Sequence, residues 1–165
     1  MTSSELENLV TLGQLKREPS SQREFGSLVR SGTARLTDAT SPAISIESRF
    51  DLAYNAAHAL ALAALRHRGY RSANRYIVFQ ALAHTLSLPA ETWRVLAKAH
   101  ERRNLAEYEG VLDIDERLLN GRDCRRPGRI EGRQGTAPLR IAREEILIAN
   151  STRPCSDRHP ELACA

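Results

Sequence analysis

Residues 46–68 read IESRFDLAYNAAHALALAALRHR, and this stretch limits the fold more than any other part of the chain. Ile46, Phe50, Ala53, Ala57, Leu60, Ala61 and Ala64 recur at helical spacing on one face, while Leu52, Leu62 and Leu65 cover much of the other side. A helix apolar nearly all round belongs at the centre of a bundle. Its alanines let neighbouring helices approach closely. Ser45 supplies an N-cap, Gly69 stands where a C′ glycine belongs, and the basic last turn Arg66-His67-Arg68 suits the helix dipole. The longest apolar run, residues 52–65, is shorter than the ~20 residues of a membrane span and contains Asn55 and His58.

The other segments predict companions for this helix. Ser4 and Glu7 have capping-box spacing and start a first helix that Gly13 interrupts; Pro19 then breaks the chain. Ser21 and Glu24 repeat the box, and Phe25, Leu28, Val29 and Leu36 continue a second helix to about Thr40. Tyr76, Phe79, Leu82, Ala83 and Leu86 predict a fourth helix over 75–86. Pro89 opens a fifth, with Trp93, Leu96, Ala97, His100 and Asn104 on one face. Asp113 and Glu116 cap a sixth, with Ile114, Leu118 and Leu119. Aromatics make up only 5% of the 165 residues, which favours packed helices over a sandwich or barrel. The expectation is all-α: an antiparallel up-and-down bundle of five to six helices over residues 1–119, joined by short loops, with an irregular C-terminal tail.

The net charge of +4 is unevenly spread. Residues 1–119 hold 15 Lys and Arg against 14 Asp and Glu, so the body lacks the footprint of a dedicated nucleic-acid binder. Residues 120–165 hold nine Arg, no Lys and six acids, with abundant Gly and Pro and no helical period apart from a short REEILIAN segment. Two readings of this tail stand level: a disordered tail, or a reading frame lost near residue 120 of a GC-rich gene. The three cysteines, Cys124, Cys155 and Cys164, all lie there, at no zinc spacing and in an odd number. MTSSELENLV shows no basic region followed by an apolar one, so a cytoplasmic protein is expected. No HExxH, phosphate-binding Gly loop or GxSxG elbow occurs, and no cofactor or metal is expected.

Chemistry concentrates in RRNLAEYEG, residues 102–110. Arg102 and Arg103 are suited to RNA phosphates, because guanidinium groups bind them bidentately. The bland alternative is a charged helix end with Arg103 and Glu107 paired at i,i+4. Tyr108 could contact a base, but a phenol of pKa ~10 is a poor general base at neutral pH, and boundary tyrosines are common. His100 lies one turn before Arg103 on the same side of the helix. His58, on the central helix, reads as buried and satisfied; His67 and His84 fall near helix ends.

SRFDLAYNAAHALALAALRHRGYRS, followed later by RNLAEYEG, resembles the HEPN family over about residues 20–119. These are small helical bundles of prokaryotic toxin–antitoxin and phage-defence systems, often found beside nucleotidyltransferases. The resemblance implies a homodimer that assembles a metal-independent RNA-cutting site from two copies of an Rx4–6H motif. In that motif the Arg steadies the scissile phosphate and the His does acid–base chemistry. Arg103 matches the motif Arg and Asn104 the polar residue beside it, whereas the His position falls on Tyr108. No histidine lies within six residues after Arg102 or Arg103. The motif thus keeps its anion-binding half and lacks its proton-transfer half. Three functions follow. One is a non-catalytic or weakly active dimerising module that binds RNA or a partner such as a nucleotidyltransferase-type antitoxin. Another is an active endoribonuclease toxin in which His100 replaces the missing His. The last is a purely structural helical interaction protein.

Overall fold

The structure is a computed structural model that describes residues 4–109. The sixth helix expected from Asp113 and the Arg-rich tail lie outside the described residues. Six helical segments run through the described chain: α1 (Ser4–Thr11), α2 (Gln22–Asp38), α3 (Ile46–His67), α4 (Arg75–Gln80), α5 (Leu82–Thr85) and α6 (Ala90–Glu109). The fold is helical, as the periodicity predicts.

Local chemistry accounts for the boundaries. Ser21 Oγ accepts from the Glu24 amide and Ser45 Oγ from the Ser48 amide, each satisfying an N–H that has no partner within its helix. Gly69, at φ +82°, ends α3 in a conformation that L side chains rarely adopt. α3 separates two apolar clusters. Phe25 of α2 meets Leu60, Ala63 and Ala64 on one side. On the other, Phe50, Ala53, Tyr54, Ala57, Ala61 and Leu65 pack with Phe79, Leu82 and Leu96. Leu60 and Leu65 are fully buried, and burying such a side chain contributes ~1.5–3 kcal/mol. α2 and α3 run antiparallel so closely that a Cβ on Gly32 would lie 2.8 Å from Leu60 Cγ. α6 also runs antiparallel to α3, since His100 meets Tyr54 and Arg103 meets Asp51. No helix among the described residues is long and apolar enough to cross a membrane.

Two features correct the expectation. The segment predicted as one helix over 75–86 is two, because the backbone tightens at Ala81 (ψ −14°) and the His84 amide reaches only three residues back, to Ala81 O. The bundle also carries a small antiparallel sheet, β1 (Lys16–Arg17) paired with β2 (Tyr70–Arg71), with Lys16 opposite Arg71 and Arg17 opposite Tyr70. Gly13, at φ +70°, frees the first strand from α1, and Gly69 turns the second back along it.

Arg66 anchors this sheet to the bundle. Its side chain is 1% exposed, and it donates to Glu24 through Nε and Nη2 (2.9 and 3.0 Å), to Glu18 O (2.8 Å), to Pro19 O (2.7 Å) and to Tyr70 O (3.3 Å). Its hydrogen bonds hold the Glu24 carboxyl below its ordinary range. Glu7 joins the same end of the molecule, accepting from Arg17 and from the Tyr70 hydroxyl. Arg66 is thus a buried anchor rather than a charge placed for the helix dipole.

Candidate functional site

The other polar concentration lies on the opposite part of α3, where α4 and α6 cross it. Tyr54 and Asn55 each lie three or four residues from both Asp51 and His58, so the four share a face. α6 brings His100, Arg103 and Asn104 onto this face, and α4 brings Arg75. Tyr54 is the floor of the cluster, with 3% of its surface exposed. Its ring meets the edge of Phe79 at 5.8 Å and lies nearly parallel to that of His100, with centroids 6.0 Å apart. The guanidinium carbons of Arg103 and Arg75 stand 5.3 and 5.8 Å from the same ring centre. Such contacts between a cation and a ring contribute ~0.5–2 kcal/mol each.

Both ring nitrogens of His100 are engaged. Asn104 Nδ2 donates to Nε2 at 3.3 Å, so the ring proton of a neutral His100 sits on Nδ1 and is donated to Tyr54 Oη, 2.8 Å away. Burial, then the charges of Arg75 and Arg103, hold the His100 pKa below its ordinary value, outweighing Glu101. The donated Asn104 amide favours the same neutral form, because a proton on Nε2 would face another N–H. His58, expected to be buried, is only half-buried and sits edge-on to Phe79 at 5.9 Å. Burial, with Arg75 and His100 adding to it, pushes its pKa down to about 4.

Arg103 is half-buried, with 23% of its side chain exposed, and is held by two carboxylates: Asp51 Oδ1 at 3.2 Å from Nε and Glu107 Oε1 at 2.7 Å from Nη2. The i,i+4 pair with Glu107 is the one expected of a charged helix end. Asp51 is the addition, and sequence reading misses it because it comes from 52 residues away. An open cleft beside Arg103, lined by Glu47, Ser48, Phe50, Asp51, Leu52, Ala106 and Glu107, joins the first turns of α3 to the end of α6.

Of the residues singled out in the sequence, His100, Arg103 and Asn104 come together. Tyr108 does not join them: it is 89% exposed, one turn further along α6. Arg102 is half-exposed on a different side of α6 from Arg103, as adjacent helical residues must be. Tyr54, Asn55, Asp51 and Arg75 belong to the cluster and were not predicted as site residues. The only hint in the text is the Tyr-Asn pair on a helix otherwise made of Ala and Leu. Comparison with known proteins finds no match to this chain among protein-family models, curated proteins or solved structures.

Proposed function

We propose that the chain is a HEPN-like helical module that binds RNA at the Arg103–His100–Asn104 cluster and cuts it weakly or not at all. It would act in the cytoplasm as a homodimer of a toxin–antitoxin or phage-defence system, with a nucleotidyltransferase-type antitoxin as the partner such systems use. One observation carries the reading: Arg103 and Asn104 stand together over a buried aromatic floor, while Tyr108, in the motif's His position, points to solvent away from both. An anion can be held there, but the motif's His position holds a solvent-facing phenol in place of a group that shuttles protons near neutral pH, a contribution worth ~10²–10⁴-fold in rate. The exposed apolar pair Leu105 and Tyr108, at i,i+3 on α6, supports a dimer built next to the motif.

RNA binding is therefore expected to weaken as salt rises, with a shallow slope, and cleavage to be weak or absent. Tyr108→His restores the family pattern without touching Arg103 or Asn104. Because Tyr108 does not meet Arg103 within one chain, the variant gains chelator-resistant cleavage only if a second protomer brings its own motif alongside. Light scattering that finds a monomer at high concentration removes the dimer from this reading.

A second reading is favoured by the contact of His100 with Asn104. A neutral His100 can accept a proton at Nε2 once Asn104 turns its amide oxygen inward, and Tyr54 holds the ring in place. In that case the unmodified protein cleaves RNA without metal, and His100→Ala abolishes the cleavage. If RNA is neither bound nor cut, the structural scaffold is left.

A further inference from the structure

We infer that Arg75, rather than Arg103, is the principal phosphate-binding residue of this site, with Asn55 beside it. The inference rests on the RNA-binding reading for the source of the phosphate. It begins with a polar ladder that crosses three helices. Glu107 holds Arg103, Arg103 reaches Asp51, Asn55 Nδ2 donates to Asp51 O (2.8 Å) and Oδ2 (3.4 Å), and Arg75 Nη1 ends the row on Asn55 Oδ1 at 3.5 Å. The two guanidinium groups stand by the same ring but are not equally committed. Arg103 has two carboxylates, and an incoming phosphate must displace them and face the Asp51 charge. Among the described residues Arg75 has no carboxylate partner, only one long bond to a neutral amide oxygen.

The surroundings of Arg75 add to this. It is half-buried, so its charge is less screened than that of an arginine in open water. It depresses the pKa of both His58 and His100, in each case second only to burial. One uncompensated cation thus bears on two neutral imidazoles and an aromatic floor. A phosphate against Arg75 would offset all of these at once, and its forked N–H groups suit two phosphate oxygens. Arg75 and Arg103 each lie within 6 Å of the Tyr54 ring centre, so the two guanidinium groups are close enough for one short stretch of RNA backbone to reach both.

Two measurements test this. The first is anisotropy binding of a short single-stranded RNA to wild type, Arg75→Gln and Arg103→Gln over a range of salt. Arg75→Gln is expected to weaken binding about tenfold and Arg103→Gln less, the strength of one charge-assisted contact setting the scale. Arg75→Gln should also lower the slope of log K against log salt by about 0.7. If circular dichroism shows Arg75→Gln to be unfolded, Arg75→Lys takes its place; it keeps the charge, loses the fork and is expected to lose about threefold. The second measurement follows the ring-proton NMR signals of His58 and His100 during titration with inorganic phosphate. Phosphate at Arg75 raises both apparent pKa values, and the Arg75 variant abolishes the effect. Undiminished RNA binding by the Arg75 variant with loss in Arg103→Gln, or an equal loss in both variants, overturns the inference and leaves the RNA-binding reading standing. A phosphate response that needs Arg75, in a protein that binds no RNA, upholds the inference and removes RNA as the source. No response to either ligand overturns both.

Discussion

The two ends of α3 use the same chemistry to opposite effect. Near its C-terminus, Arg66 is sealed from water and spends its donors on Glu24 and three backbone carbonyls. Around Tyr54, Arg75 and Arg103 are half-exposed, and among the described residues Arg75 has the Tyr54 ring and one amide oxygen for partners and no carboxylate. A buried, fully bonded guanidinium is part of the architecture. A half-exposed one with no counter-charge among the described residues, set against a buried aromatic floor and neutral histidines, is available to a ligand. Arginine content does not separate these roles, since Arg outnumbers Lys throughout the chain. Partner geometry does.

The sharpest way to break the comparison is at the sealed end. Arg66→Ala leaves three carbonyls without their donor and Glu24 with Arg71 as its remaining partner, where losing one partner of a fully buried pair costs ~3–5 kcal/mol. Glu24 is 30% exposed, so a loss near the lower figure is expected in denaturant unfolding. A loss below about 1 kcal/mol would show that Arg66 is not an anchor.

Acid should separate the two ends. His58 is neutral in the folded state down to about 4, whereas an unfolded histidine takes up its proton near 6.5. The unfolded chain therefore binds more protons between these values, and stability falls as pH drops through that window. His100, also depressed, acts in the same direction. At the other end the depressed carboxyls of Glu24 and Glu7 contribute stability that is present above about 4.5 and lost as pH falls below it. His58→Leu should flatten the stability profile between pH 6.5 and 4 and leave the steeper acid limb in place. An unchanged profile would mean that His58 is solvated.

A smaller effect is expected between the two ends, where α2 meets α3. A Cβ on Gly32 meets Leu60 Cγ at 2.8 Å and Ala56 O at 3.2 Å, and Leu60 is fully buried and cannot swing away. Overpacking costs ~1–3 kcal/mol, of which replacing a helical glycine returns ~1. Gly32→Ala should therefore lower stability by about 1 kcal/mol, read from the same unfolding curves. An effect no larger than this is expected at the ligand end: Arg103→Gln breaks ion pairs to exposed carboxylates worth ~0–1 kcal/mol in total, together with one cation–ring contact at the lower end of its range, ~0.5 kcal/mol.

The helices were legible because their signals are local. Ser21, Ser45 and Gly69 act within a few residues of where they stand, and the apolar spacing of 46–67 is its own evidence of centrality. The strand pair was not, because two-residue strands have no period to read and Lys16 finds Arg71 only after the bundle has formed. The same division holds at the site. His100, Asn104, Arg103 and Glu107 lie within eight residues on one helix, and spacing singled them out except for Asn104, which the family resemblance supplied. Asp51, Tyr54 and Arg75 reach them only through packing, and Arg66 looked like an ordinary helix-end charge until Glu24 was placed against it. Tyr108 aligned with a motif in one dimension and faces water in three.

We propose that the Tyr54 cluster serves a ligand while the Arg66 cluster serves the fold. The most direct test is the melting temperature of wild type and of an Arg75→Gln, Arg103→Gln double variant, each with and without excess single-stranded RNA. A ligand that binds only the folded state raises stability by RT ln(1 + [L]/Kd), about 2.7 kcal/mol at a hundredfold excess over Kd. The account predicts that RNA raises the melting temperature of wild type and not of the double variant, whose own melting temperature falls only by the several degrees that its two lost cation–ring contacts explain. A double variant stabilised by RNA as much as wild type, or one that melts far lower without RNA, would contradict it.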